Sequence, residues 1–140
     1  QRGTAVGSGI LVALKAIESI ELVNTSISDA GLKDLARLPA LHWLDLQGTA
    51  ISDAGMLELA RVKTLSWLDI SRTAIGDEGL KRLIGLPEIE QIRAVETRIT
   101  RRGRNDFERQ LPDVLETKDE DEESQSSDSS DGDTPVNEYR

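Results

Sequence analysis

Three carboxylates, Glu21, Asp45 and Asp69, stand 24 residues apart, each in the middle of an apolar-x-apolar triplet. On neighbouring strands such groups would lie about 5 Å apart, near the carboxylate separation of retaining glycosidases. The same spacing also makes a stripe of negative charge that would attract a basic peptide. Trp43 and Trp67, the two tryptophans of the chain, lie two residues before Asp45 and Asp69. Indole faces attract Lys and Arg cations, and Trp is enriched where protein partners bind most strongly. Other chemistry is poorly supported. His42 is the single histidine and there is no cysteine, which leaves neither a catalytic dyad nor a zinc site. In the C-terminal segment Asp131, Gly132 and Glu138 echo positions five, six and twelve of a calcium loop. Ser127 and Ser129 replace the acids needed at one and three, and Pro135 intrudes. The arginines Arg93, Arg98, Arg101, Arg102, Arg104 and Arg109 cluster, but Glu96, Asp106 and Glu108 are interleaved with no aromatic platform among them. Nucleic acid is therefore not the expected partner. No metal and no cofactor is expected.

The elements that must position the acids and tryptophans follow from an internal repeat. Thr25, Thr49, Thr73 and Thr97 share the same 24-residue spacing, and around each the frame L-x-x-L-x-L-x-x-T-x-I recurs. The second copy reads Leu41, Leu44, Leu46, Thr49, Ile51, and the third Leu65, Leu68, Ile70, Thr73, Ile75. The first reads Ile17, Ile20, Leu22, Thr25, Ile27, and the fourth Ile89, Ile92, Ala94, Thr97, Ile99. Apolar residues two apart predict a short strand. Three copies continue with Asp-x-Gly (Asp29/Gly31, Asp53/Gly55, Asp77/Gly79) and then with apolar residues three apart, the period of a helix: Leu32, Leu35, Leu38; Met56, Leu59, Val62; Leu80, Leu83, Leu86. Each Asp suits a helix N-terminus, where its carboxylate would accept orphan backbone N–H groups. Pro39 and Pro87 close two of the helices.

This pattern resembles the leucine-rich-repeat family, in its 24-residue bacterial variety with T-x-I-[ST]-D-x-G-L after the strand. The resemblance covers about residues 5–112. It implies an α/β solenoid, a right-handed superhelix with a parallel concave sheet and convex helices, in which no copy can bury its apolar stripe without stacked neighbours. The expected domain is 1–112: a helical half-repeat 5–16 (Gly7, Leu11, Leu14), repeats 17–40, 41–64 and 65–88, and a cap 89–112. In the cap Arg101 replaces Asp, Arg104 replaces Leu, and Phe107 and Leu111 are the expected buried pair. The resemblance also gives Thr25, Thr49, Thr73 and Thr97 a structural role, turning inward to satisfy loop backbone groups. The chain is expected to begin inside a repeat, either as a piece of a longer protein or behind a short helical cap.

Alternation along a strand turns three columns outward if the leucines turn in. They are Ser19, Trp43, Trp67, Gln91; then Glu21, Asp45, Asp69, Arg93; then Val23, Gln47, Ser71, Val95. Adjacent strands lie about 4.8 Å apart, so the two indoles should overlap. The expected binding surface is Trp43, Trp67, Glu21, Asp45, Asp69, Gln47 and Arg93, and the expected partner is a protein or a basic peptide. The alternative is that the indoles are only a packing ladder and the acids only aid solubility. Two other readings stay open: a structural segment of a larger receptor or enzyme, and a carbohydrate-active enzyme using the acidic stripe. Family analogy favours the non-enzymatic reading.

Charge divides the chain. Lys and Arg balance Asp and Glu over residues 1–112, and the net charge of −9 falls wholly in 113–140. Residues 113–140 should be a disordered acidic tail, since the run TKDEDEESQSSDSSDGDT, 117–134, is almost free of apolar side chains. It could fold back on the arginine cap, and Ser130 before Asp131 and Asp133 suits an acid-directed kinase. No apolar run approaches the roughly 18 residues of a membrane span. The lack of cysteine, with no signal peptide in view, fits a cytoplasmic setting.

Overall fold

A computed structural model describes residues 15–117. The half-repeat at 5–16 falls outside it except for Lys15 and Ala16, and the acidic tail, Ser130 and the calcium-loop echo lie outside it entirely. Each repeat contributes one three-residue strand: β1 (Ser19–Glu21), β2 (Trp43–Asp45), β3 (Trp67–Asp69) and β4 (Gln91–Arg93). They form one sheet in chain order, every neighbouring pair parallel. The register follows the 24-residue period without slip: Ser19, Trp43, Trp67 and Gln91 are neighbours, as are Ile20, Leu44, Leu68 and Ile92. Helical segments alternate with the strands: α1 (Asp29–Leu35), a 3-10 turn (Asp53–Gly55) running into α2 (Met56–Leu59), α3 (Asp77–Lys81) and α4 (Arg101–Gln110). This is the parallel α/β solenoid that the repeat implied, and the stacked copies enclose one core. Leu44, Leu46, Leu68, Ile70 and Ile92 from the strand halves meet Leu32, Met56, Leu59, Leu80 and Leu83 from the helical halves, all fully buried.

Several expectations are corrected. The regular helices are shorter than their apolar spacing suggested. They end at Leu35, Leu59 and Lys81, and Leu38, Val62 and Leu86 are buried from the turns that follow. The helix-start aspartates do not cap their own helices. The N-cap residues Ser28, Ser52 and Gly76 make no side-chain cap bond. Instead each carboxylate reaches the next copy. Asp29 accepts from the Ser52 amide (2.7 Å) and hydroxyl (2.6 Å). Asp53 accepts from the Gly76 amide at 2.7 Å. Asp77 accepts from the Thr100 amide (2.8 Å) and hydroxyl (2.7 Å). In turn Gly55, Gly79 and Gly103 give these carboxylates room, since a Cβ at any of them would collide with the preceding copy's Asp. The chain also remains ordered beyond residue 112, where the tail was expected to begin. Leu115–Glu116 forms a fifth strand, β5, parallel to β4, because Val114 and Leu115 still find core to pack against. In the cap Phe107 is buried, while Leu111 is half-buried at its edge.

The threonine column closes the turn after each strand. The hydroxyls of Thr25, Thr49 and Thr73 donate to the carbonyls of Leu22, Leu46 and Ile70 at 2.9, 2.8 and 2.7 Å, and Thr97 reaches the Ala94 carbonyl at 3.5 Å. The preceding residues Asn24, Gly48, Arg72 and Glu96 all have positive φ, so each hydroxyl supports a left-handed corner that costs non-glycine residues energy. Thr49 is buried. Thr49→Val keeps its shape and removes the donor, and should lower the unfolding free energy by about 1–3 kcal/mol in urea titration.

Candidate functional site

The register places the indoles of Trp43 and Trp67 on one face of adjacent strands. Their ring centroids are 4.5 Å apart and the planes differ by 5°. Stacked aromatic pairs contribute about 0.5–1.5 kcal/mol beyond buried area. Both residues remain half-exposed. The stack uses one face of each ring. Beyond it, the strand neighbour of Trp67 is Gln91 and that of Trp43 is Ser19. Ser19 is small and exposed, as is Glu21 two residues further along β1. The side of Trp43 towards β1 therefore neighbours a small exposed residue, with the exposed Glu21 two residues further along that strand.

The rest of the acid column differs from expectation. Asp45 and Asp69 are outward by alternation yet only 6% and 2% exposed. The tryptophans flank them on one side and Gln47 and Ser71 on the other, and at strand spacing these columns leave little room for water. Both carboxylates are engaged by their own strands. The Gln47 amide donates to Asp45 Oδ1 at 3.1 Å and its side-chain Nε2 to Oδ2 at 3.3 Å. The Ser71 amide donates to Asp69 Oδ1 at 2.9 Å. Arg93 Nη1 lies 3.8 Å from Asp69 Oδ2, and Arg93 Nε lies 3.6 Å from Glu116 Oε2 on β5. Glu116 also accepts from Gln91 Nε2 at 3.0 Å. The third column is partly closed as well. Ser71 and Val95 are buried, with the Val95 amide donating to Ser71 Oγ at 2.9 Å, and Val23 and Gln47 are half-buried. Arg93 is thus tied into the sheet, and Glu21 is the exposed acid of the column.

Burial pushes the Asp69 carboxyl above its ordinary range. The Ser71 hydroxyl and amide pull it back, Asp45 beside it adds to the rise, and Arg93 opposes it. The sign for stability follows. A carboxylate with a raised folded-state pKa burdens the fold at neutral pH, and the burden fades as pH falls through that raised value towards the unfolded one. Asp69→Asn, which keeps an oxygen for the Ser71 amide, should therefore gain on the wild type most at neutral pH. The advantage should shrink as pH falls into the ordinary carboxylate range. Thermal melts from pH 7 to pH 3 check this, and a gap that widens on acidification would contradict it.

His42 is exposed, its Nδ1 3.3 Å from the Ala40 carbonyl. Among the described residues no three His, Cys, Asp or Glu side chains are gathered as metal ligands would be, and no helix is long and apolar enough to cross a membrane. Sequence reasoning placed Ser19 in the outward column without counting it in the binding surface, and it did not single out Glu116. Ser19 carries no signal beyond being small where two tryptophans stand. Glu116 lies outside the repeat.

The leucine-rich-repeat family pattern matches residues 41–60 and 63–83, the second and third copies. The match spans two of the four copies, and the four-copy register and the parallel sheet agree with a leucine-rich-repeat fold. Such repeats generally mediate protein–protein interaction, and the proteins that carry them are typically non-enzymatic interaction modules. Among solved structures the chain is similar to an internalin from Listeria monocytogenes str. 4b F2365, with 20% identity and a TM-score of 0.47. The match covers 78% of this chain and 36% of that one, so the chain spans about a third of that internalin's length. No curated protein matches the sequence.

Proposed function

We propose that this chain is a protein-interaction module that takes a protein or peptide segment across the sheet face, over Trp43 and Trp67. The observation that carries the reading is the parallel indole pair, stacked at 4.5 Å and left half in water. A half-wet aromatic ladder offers a rigid apolar contact at small entropic cost to a partner. A basic side chain suits this surface best at one place. A Lys or Arg laid against Trp43 on the Ser19 side would meet the indole face and the exposed Glu21 carboxylate together. The acidic contribution is narrower than the sequence suggested, because Asp45 and Asp69 already accept hydrogen bonds from Gln47 and Ser71. The same engagement weakens the case for carbohydrate chemistry, which would need two of these carboxylates free to reach a sugar.

The test is a selection from a random peptide library, followed by titration of the selected peptides against intrinsic Trp fluorescence. Peptides carrying Lys or Arg should be enriched. Trp43→Ala should weaken their binding at least tenfold, a loss of about 1.4 kcal/mol or more, and shift the thermal midpoint far less than a core truncation does. Binding that survives Trp43→Ala, or that falls only in proportion to stability, would defeat the proposal.

A further inference from the structure

The far end of the indole column is tied to a strand that lies outside the repeat. Beyond Trp67 the next residue of the column is Gln91, its register neighbour on β4. Beyond β4 lies β5, on the side away from the indoles. The step from β4 to β5 is one residue short of the period. Ile92 pairs with Leu115 and Arg93 with Glu116, 23 residues on, where the earlier strands pair residues 24 apart. At the full period Glu116 would fall beside Ile92 and face the core. The shorter step turns it to the outer face, beside Arg93. Both of its carboxylate oxygens are taken up there. Oε1 accepts from Gln91 Nε2 at 3.0 Å, and Oε2 lies 3.6 Å from Arg93 Nε. The main chain is fixed as well, with the Ala94 amide donating to the Glu116 carbonyl at 2.8 Å.

Taking the indole pair as the binding surface, we propose that Glu116 is a positioning residue of that surface: it fixes the Gln91 carboxamide so that its oxygen, beside Trp67, accepts a hydrogen bond from the partner. A carboxylate only accepts, whereas a carboxamide carries donors at one end and an acceptor at the other. Glu116 therefore draws the Gln91 nitrogen and repels its oxygen, which selects one of the two flips. With Nε2 committed to β5, Oε1 is the atom left for the side towards Trp67. Gln91 is half-buried, as both tryptophans are, so a group lying on Trp67 comes within its reach. Such a group must supply a donor. A main-chain N–H of an extended segment does so, as does the head of a Lys, Arg, Asn or Gln. A carboxylate laid on the same spot meets an oxygen instead of the N–H group that the other flip would offer, and Arg93 is already shared between Asp69 and Glu116. Discrimination of this kind comes from what is set against the wrong partner as much as from what attracts the right one. Holding the flip before binding also removes an ordering cost.

The experiment has two stages, both on the full 140-residue chain. In the free protein, nuclear Overhauser contacts should join the Gln91 side-chain N–H protons to Glu116 and not to the Trp67 ring. Contacts to the Trp67 ring, or none to Glu116, would overturn the proposal without touching the indole reading. In the second stage, peptides selected from the random library on the wild-type protein are titrated against Gln91→Leu, Glu116→Gln and the pair. Gln91→Leu should weaken binding by about three- to tenfold, the worth of one hydrogen bond. Glu116→Gln should weaken it by about twofold, because a glutamine holds either flip of Gln91 and halves the competent population. In the Gln91→Leu background it should change nothing further, since it acts through that carboxamide. The Ile92 and Ala94 amides donate to the Val114 and Glu116 carbonyls, and their hydrogen exchange reports whether β5 stays docked in each variant. Losses that add, binding untouched by Gln91→Leu, or a loss that tracks faster exchange at Ile92 and Ala94 would also overturn the proposal and leave the indole reading standing. A library that yields no peptide sensitive to Trp43→Ala defeats the indole reading, and this proposal with it.

Discussion

Leu44→Ala should lower the unfolding free energy by about 2–5 kcal/mol, with the effect at the upper end of that range. Leu44 is fully buried, and its strand neighbours in the same inward column are Ile20 and Leu68. The truncation leaves a cavity walled on both sides by neighbouring copies rather than by one chain segment that could collapse. Solenoid stability is roughly a sum of repeat and interface terms, so a hole in a central copy weakens two interfaces at once. Ile20→Ala tests the same reasoning from the other direction. Ile20 holds the equivalent position in the first described copy but is half-buried, and its truncation should cost less than half as much. Urea titration of both variants is the measurement. An unchanged slope with a lower midpoint identifies a stability change rather than a change in the unfolded ensemble. Equal losses at Leu44 and Ile20 would mean that packing is not graded along the solenoid as the burial pattern indicates.

Much of the fold could be read before any coordinates, and the reason is the period. A recurrence carried by four copies fixes the strand register, and the register alone brings Trp43 against Trp67. What the period does not contain is how much neighbouring columns cover one another. Alternation puts Asp45 and Asp69 on the same face as the indoles, but it says nothing of the burial of both carboxylates beside the indoles, Gln47 and Ser71. Local rules also misled at Asp29, Asp53 and Asp77. An Asp at a helix start ordinarily serves its own helix, and only the stacked neighbour reveals a competing set of donors 23 residues on. Leu115–Glu116 was invisible for the opposite reason. It belongs to no repeat, is two residues long, and forms a strand only because β4 presents an edge to it.

The second large effect concerns that forward-reaching carboxylate and the glycine that accommodates it. Gly79 lies in α3, where replacing Gly by Ala ordinarily stabilises a helix by about 0.5–1 kcal/mol. Here Gly79→Ala should destabilise by about 1–3 kcal/mol, and the reversal of sign is the point of the test. The added methyl would collide with Asp53 Oδ1, and it would lie 2.9 Å from Met56 Cγ and 3.1 Å from Ile75 Cγ2. Met56 and Ile75 are buried and cannot move aside freely. Gly85→Ala is the control. Nothing lies within 4 Å of the position its Cβ would take, so that variant should be neutral or slightly stabilised. Asp53→Ala removes both the obstacle and the hydrogen bond to the Gly76 amide. The Gly79→Ala/Asp53→Ala pair should therefore lose less than the sum of the single variants, with a coupling of about 0.5–3 kcal/mol. Thermal or urea unfolding of the four proteins completes the cycle. If Gly79→Ala is as stable as the wild type, or if the two losses simply add, then Asp53 and Gly79 do not form a joint between copies. The small residue at this point in each repeat would then need another cause.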